Sequence, residues 1–179
     1  AANIDNRGTL VATQTLTART GKLTNSGEIS GKTVSIAASD TLTNTDTGLI
    51  DGIDTRIDAR TINNTGRLYG DVLRAKADTV NNRGTGVIAA RDTLLIGAQS
   101  LSNTDGGLIY SLGDMHIGGT IDDNGQVQDE MQSLINASSK IATARVQPAE
   151  APRILCGKQL MKNPLGGKAS RLWSFSRWQ

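Results

Sequence analysis

The sequence predicts an all-β protein folded as a single-stranded parallel β-helix, a solenoid of short stacked coils followed by an irregular tail. Three observations predict it: an aliphatic-x-Asn signature recurring about every 20 residues, apolar/polar alternation between Asn- and Gly-rich corners, and an aromatic content of only 3%.

The repeat is the first of these, because an internal period fixes the architecture before any local prediction. An aliphatic residue followed two places later by Asn occurs as Ile4/Asn6, Leu23/Asn25, Leu42/Asn44, Ile62/Asn64, Val80/Asn82 and Leu101/Asn103, then as Ile121 with Asp123 in the Asn place; the leaders are 19, 19, 20, 18, 21 and 20 residues apart. A Gly follows in each unit (Gly8, Gly27, Gly48, Gly66, Gly84, Gly106, Gly125), and after it an aliphatic residue: Leu10, Ile29, Leu49, Leu68, Val87, Leu108 and Val127. A third aliphatic group closes most units, for example Val34 with Ile36 and Leu94 with Ile96.

The local pattern makes these units strands. Val34-Ser-Ile-Ala37 and Met115-His-Ile117 alternate with a period of two, as a half-buried strand requires. Asn-Ser-Gly, Asn-Thr-Gly and Asn-Arg-Gly mark corners, since Asn bonds its own backbone and both residues tolerate unusual dihedrals. Corners every six to eight residues give a coil of about three sides. Such a coil cannot bury its apolar edge alone, so it stacks on the next at roughly 4.8 Å. The leaders and the second aliphatic residues then form two interior columns, and Asn6, Asn25, Asn44, Asn64, Asn82 and Asn103 form one corner ladder of stacked amides. Leucine-rich repeats share the period but need L-x-x-L-x-L-x-x-N, and calcium-binding nonapeptide rolls need G-G-x-G-x-D; neither recurs here.

The scarcity of aromatic residues fits that interior. With 37% apolar residues, the core must be assembled from Leu, Ile, Val and Ala, which suit a narrow stacked space. The net charge of +2 comes from 19 basic and 17 acidic residues with the signs interspersed, which is no footprint for nucleic acid or an anionic membrane. One cysteine, Cys156, allows neither an internal disulfide nor a thiolate cluster. No apolar run approaches the ~20 residues that cross a bilayer. The chain opens at Ala1-Ala-Asn3 without a leader, so an export signal is expected upstream.

The stretches Leu23-Thr-Asn-Ser-Gly-Glu-Ile29, Leu42-Thr-Asn-Thr-Asp-Thr-Gly-Leu-Ile50 and Leu101-Ser-Asn-Thr-Asp-Gly-Gly-Leu-Ile-Tyr-Ser-Leu-Gly-Asp-Met-His-Ile117 resemble the haemagglutinin repeats of filamentous-haemagglutinin-like adhesins, the exoproteins of two-partner secretion. The resemblance covers about residues 3–142. It implies a right-handed β-helix, export through a dedicated outer-membrane partner transporter, and secretion or display at the bacterial surface. It also implies a role in attachment to a cell-surface receptor or glycan, or, as an alternative, in the stem of a contact-dependent toxin-delivery protein. Neither an amino-terminal secretion domain nor a toxin domain is recognisable in the chain.

The coils are expected over residues 1–142, starting near 4, 23, 42, 62, 80, 101, 121 and 134. Residues 122–133 read as an insertion and 134–142 as a last partial coil; a helix over 128–142 is the alternative. The remainder, 143–179, reads as an irregular basic and aromatic tail holding all three prolines, Cys156, Phe175, Trp173 and Trp178. Linker, cap and out-of-frame translation all fit it, the last being preferred because nothing periodic resumes.

No catalytic, cofactor-binding or metal site is predicted. His116 alternates outward between Met115 and Ile117 and has no partner in sequence for triad or metal chemistry. Cys156, between Arg153 and Lys158, has no histidine nearby to activate it. Asp51, Asp54 and Asp58 alternate with Arg56 and Arg60 and read as solvated ion pairs; the rival is a sugar-cleaving site of the kind some β-helical enzymes carry. Gly84-Thr-Gly86 and Gly106-Gly107 lack the context of a phosphate loop. The basic and aromatic run from Arg171 to Trp178 reads as a disordered end. The expected role is therefore structural and adhesive, with outward Thr and Asn rows as the contact surface and self-association through the exposed ends of the β-helix.

Overall fold

The computed structural model describes residues 2–144, 153–156 and 159–160. Every regular element among them is a strand, and all but one antiparallel hairpin stack in parallel into a β-solenoid of about six turns. After β1 (Asn3–Asn6) come four long strands, β2 (Thr9–Asn25), β3 (Glu28–Asn44), β4 (Leu49–Asn64) and β5 (Arg67–Arg83), then β6 (Val87–Thr104). Each lies on the previous one in the order β1-β2-β3-β4-β5-β6. The next turn is split into β7 (Leu108–Ser111) and β8 (Asp114–Gly118), both on β6. At the usual parallel-strand spacing, six turns span about 29 Å.

Register decides what the core contains. The leaders Ile4, Leu23, Leu42, Ile62, Val80 and Leu101 are consecutive Cα partners, and Leu134 follows Leu101. From Leu23 onward every one of them is at most 2% exposed. Ile121 is not in this file: it is buried, but in an antiparallel hairpin formed by β9 (Thr120–Ile121) and β10 (Val127–Gln128), where it pairs with Val127. The coil expected to start near 121 is therefore absent. Residues 119–130 leave the solenoid, and the stack resumes with β11 (Ser133–Ala137) on β6 and β12 (Lys140–Thr143) on β7. No helix forms over 128–142.

The second column also needs correction. It runs Leu10, Ile29, Ile50, Leu68, Ile88, Ile109, Ile141, so Leu49, Val87 and Leu108 are half-buried outward neighbours of the true column residues. The cause is corner length. Where Asn is followed by one residue and Gly, the inward residue lies four places after the Asn; Thr45-Asp46-Thr47, Arg83-Gly84-Thr85 and Thr104-Asp105-Gly106 insert two more residues, and because side chains alternate, six places is the next inward one. The glycine that stacks is accordingly Gly86 or Gly107, not Gly84 or Gly106, and Gly125 is the hairpin tip.

These stacked glycines serve close approach and not a left-handed backbone. Among the described glycines, positive φ is found only at Gly84, Gly106 and Gly125. A Cβ on Gly86 would stand 2.5 Å from both the Asn64 carbonyl oxygen and Asn82 Oδ1. A side chain at Gly86 would have to displace one of these two oxygens.

Two further interior columns are Leu16, Val34, Thr55, Leu73, Leu94, Met115 and Ala18, Ile36, Ile57, Ala75, Ile96, Ile117, and beside the second lie the buried alanines Ala38, Ala59, Ala77 and Ala98. Thr55 is the one polar break in the first; its hydroxyl bonds the Tyr69 carbonyl at 2.8 Å. The described part of the tail is not irregular. Residues of β13 (Arg153–Ile154) pair with His116 and Ile117 of β8, Cys156 bridges Met131, and β14 (Gln159–Leu160) pairs with Leu134 and Ile135. Ile154 and Cys156 pack against the core at the edge of the last coil, which a composition scan dominated by the prolines hides. The run 171–178 lies outside the described residues.

Candidate lateral binding surface

The outward surface is built from the same register that builds the core, because each buried column is flanked by two outward rows. The three faces differ in chemistry.

The face carrying the leaders is polar. On one side of the leader column stand Thr41, Thr61, Thr79 and Ser100, and on the other Thr43, Asn63, Asn81 and Ser102, all half-buried. Asn81 Nδ2 donates to Asn63 Oδ1 at 2.9 Å, a second short amide ladder on the outside. Thr43, Asn63, Asn81 and Ser102 line an open groove with Arg83, Thr104 and Asp105.

Just inside that groove runs the corner ladder. Asn6, Asn25, Asn44, Asn64 and Asn82 each donate Nδ2 to the Oδ1 of the next Asn at 2.7–2.9 Å, ending at Asn103. Asn103 then donates to Asn136 at 2.9 Å, so the ladder passes over Asp123 and takes Asn136 as its last rung. From Asn25 to Asn103 the side chains are at most 1% exposed. Each amide is also satisfied by backbone: Asn64 Nδ2 lies 3.1 Å from the carbonyl oxygens of Gly66 and Val87. In the last coil Ser139 stands where the other coils have Gly, with its hydroxyl 2.6 Å from the Asn103 carbonyl and 2.7 Å from Asn136 Oδ1.

The charged face carries ion pairs that cross from coil to coil. Asp54 accepts from Arg56 at 2.6 Å and from Arg74 of the next coil at 2.7 Å; Asp71 is paired with Arg91; and Asp40 lies between Lys22 at 3.6 Å and Arg60 at 3.7 Å. The bond to Asp54, followed by its charge, raises the pKa of the Arg56 guanidinium. Both oxygens of Asp54 are thus engaged by arginines, and Asp51 and Asp58 lie in different rows from it, beside Tyr69 and Lys76 of the next coil. The three carboxylates do not converge. His116 is half-buried in an outward row between Leu95 and Arg153. Cys156 is half-buried at the margin of the core. No group of three or more His, Cys, Asp or Glu side chains is arranged to hold a metal among the described residues.

The hairpin folds back over this charged face. Gly97 and Gly118 stand in the outward row where earlier coils have Asp58 and Lys76, and a Cβ on Gly118 would meet Val127 Cγ1 at 2.6 Å. Leu95, an outward residue, is consequently only 7% exposed. Asp122 ties the hairpin turn by accepting from the Gln126 and Asn124 amides at 2.8 and 2.9 Å, and the Gln126 bond leads the lowering of its pKa. Outward glycines in successive coils, Gly97 and Gly118, are the sequence signal that marks the seat of the hairpin.

The third face lies between the Asn corner and the charged corner. Its rows are Glu28, Leu49, Arg67, Val87, Leu108, Lys140 and Ser30, Asp51, Tyr69, Ala89, Tyr110, Ala142. It becomes apolar and aromatic toward its C-terminal half. No protein-family model matches the chain, and neither a curated protein nor a solved structure does.

Proposed function

We propose that this chain is a stretch of the shaft of a large secreted bacterial surface protein of the filamentous-haemagglutinin kind, extending and presenting lateral faces for attachment. In this reading the chain is not an enzyme, reaches the surface through an outer-membrane partner transporter, and meets a cell-surface receptor or glycan along its sides. The observation that carries the reading is the uninterrupted amide ladder from Asn6 to Asn136: one file of buried amides ties each coil to the next, with a polar face running beside it. Rigid extension with repeated lateral chemistry is what a shaft needs, and the engagement of Asp54 by Arg56 and Arg74, with Asp51 and Asp58 in other rows, supports a mechanical over a hydrolytic role.

The test is adhesion by the isolated chain. Beads coated with it should adhere to epithelial cells or to bacteria, and the double change Asn63→Lys with Asn81→Lys, which alters the polar groove and leaves the buried ladder intact, should reduce adhesion. Equal adhesion by beads coated with an unrelated β-solenoid, or release of reducing sugar from polysaccharide by the purified chain, would overturn it.

A further inference from the structure

Both tyrosines of the chain stand in one outward row, and they alternate with alanines. Tyr69, Ala89, Tyr110 and Ala142 are successive Cα partners, all half-buried. Beside them run Arg67, Val87, Leu108 and Lys140, whose inner pair is apolar and whose outer pair is basic and exposed. The row therefore has two shallow steps, one at Ala89 between the two tyrosines and one at Ala142 beyond Tyr110.

The spacing of these steps is fixed by the fold. Two rungs of a parallel sheet separate Tyr69 from Tyr110, and equally Ala89 from Ala142, by about 9.6 Å. A ring held between two side chains in van der Waals contact needs about 7–8 Å, so the step at Ala89 admits one ring. A polyproline II helix advances about 3.1 Å per residue with three residues per turn, so every third side chain recurs on one face at about 9.3 Å. That period matches the two-rung repeat within a few tenths of an ångström. Aromatic-lined grooves are how proline-rich segments are bound elsewhere, because the extended helix is already ordered before it docks.

The area of the strip argues against a larger partner. Two rows over four rungs cover far less than the ~800 Å² per side of a stable protein–protein interface. A second copy of this chain laid antiparallel on the strip would also bring Arg67 against Lys140. A thin, extended ligand bearing negative charge at its ends meets neither objection.

We infer that the Tyr69–Ala89–Tyr110–Ala142 row is a docking strip for a proline-rich segment of the Pro-x-x-Pro type flanked by acidic residues. One proline ring enters the step between Tyr69 and Tyr110 at Ala89, and the other enters the step at Ala142. Val87 and Leu108 line the side of the strip, and Arg67 and Lys140 pair with the flanking carboxylates. The inference is independent of the adhesive reading, since it concerns the purified chain and another face.

Three synthetic peptides test it by amide NMR titration of the full chain: one with a single Pro-x-x-Pro unit between glutamates, one with the spacing changed to Pro-x-x-x-Pro, and one with both prolines replaced by alanine. A cello-oligosaccharide is titrated in parallel. The expected result is saturable shifts at Tyr69, Ala89 and Tyr110 with the first peptide, and affinity weaker by at least about tenfold with the other two. Ala89→Leu fills the step and should abolish those shifts while the circular dichroism spectrum stays unchanged; Tyr110→Ala serves as the second variant should Ala89→Leu fail to fold. Equal binding of all three peptides, retention of affinity by the step-filling variant, no binding at millimolar peptide, or shifts in these rows with the oligosaccharide alone would each overturn the proposal.

Discussion

The Asn corner and the charged corner of the same coils are built on opposite principles. At the first, a buried amide column with a backbone partner on every rung repeats from Asn6 to Asn103 and closes on Asn136, and corners of different length are absorbed without losing it. At the second, the residues are Thr13-Gln14, Lys32, Ile53, Asp71, Arg91-Asp92 and Leu112-Gly113, with no repeating bond and with register shifts at Ala12/Thr15 and Gly70/Val72. Ile53 and Leu112 are more than half exposed there. The difference teaches that register in this solenoid is set where a polar group is buried and has to be satisfied. The exposed corner is free to vary because water completes its bonds.

Breaking the amide column should therefore have the largest effect. Asn64→Asp replaces a buried donor facing three oxygens by a carboxylate, and is expected to cost about 3–5 kcal/mol at pH 7. Those oxygens favour the protonated carboxyl, so its folded-state pKa is raised above the ordinary value of about 3.9; stability is then recovered as pH falls through the folded pKa, fully so below the unfolded one. Urea melts at pH 7 and pH 3, each against the parent at that pH, check both the cost and its sign. Asn64→Ala, which leaves partners unsatisfied without adding charge, should cost about 2–3 kcal/mol with little pH dependence of the difference.

Leu42→Ala tests the neighbouring leader column. It removes a fully buried side chain between Leu23 and Ile62 and should cost about 2–5 kcal/mol in the same melts. A loss below 1 kcal/mol would mean that the amide column, and not the aliphatic one, carries the stack.

Thr55→Val sharpens the comparison from inside the core. It keeps the shape of the side chain but strips the Tyr69 carbonyl of its hydroxyl partner, and is expected to change stability by no more than about 1.5 kcal/mol. A larger loss would show that a single polar contact outside the ladder also fixes register.

The smallest effect is expected at the charged corner and its face. Arg56→Ala removes a partner of Asp54 that is itself more than half exposed, while Arg74 keeps the other bond, so thermal melts should shift by the equivalent of about 0–1 kcal/mol and less at high salt. A shift as large as that of Asn64→Ala would remove the distinction between the two corners.

Much of this was legible in the linear pattern. Leu23, Leu42, Ile62, Val80 and Leu101 were readable as a column because two constraints, an aliphatic residue and an Asn two places on, recur together. Leu49, Val87 and Leu108 were misread in place of Ile50, Ile88 and Ile109 because adjacent aliphatic residues look alike while corner length sets which of them turns inward. Ile121 and Val127 were misread because a hairpin leaving the stack repeats the leader's composition without its neighbours. The Tyr and Ala row was invisible for a related reason: its members are 20, 21 and 32 residues apart and mean nothing until stacked.

The sequence alone determined the repeat, the parallel stacking and the identity of the amide column, since a strand period of two and a coil period near 20 leave few ways to bury so many small aliphatic residues. Only the tertiary structure decided the phase of each coil, the hairpin lying over Gly97 and Gly118, and the rungs added by residues 153–156 and 159–160. The physical reason is that phase depends on which buried groups can be satisfied between coils, and those partners are brought together only by stacking.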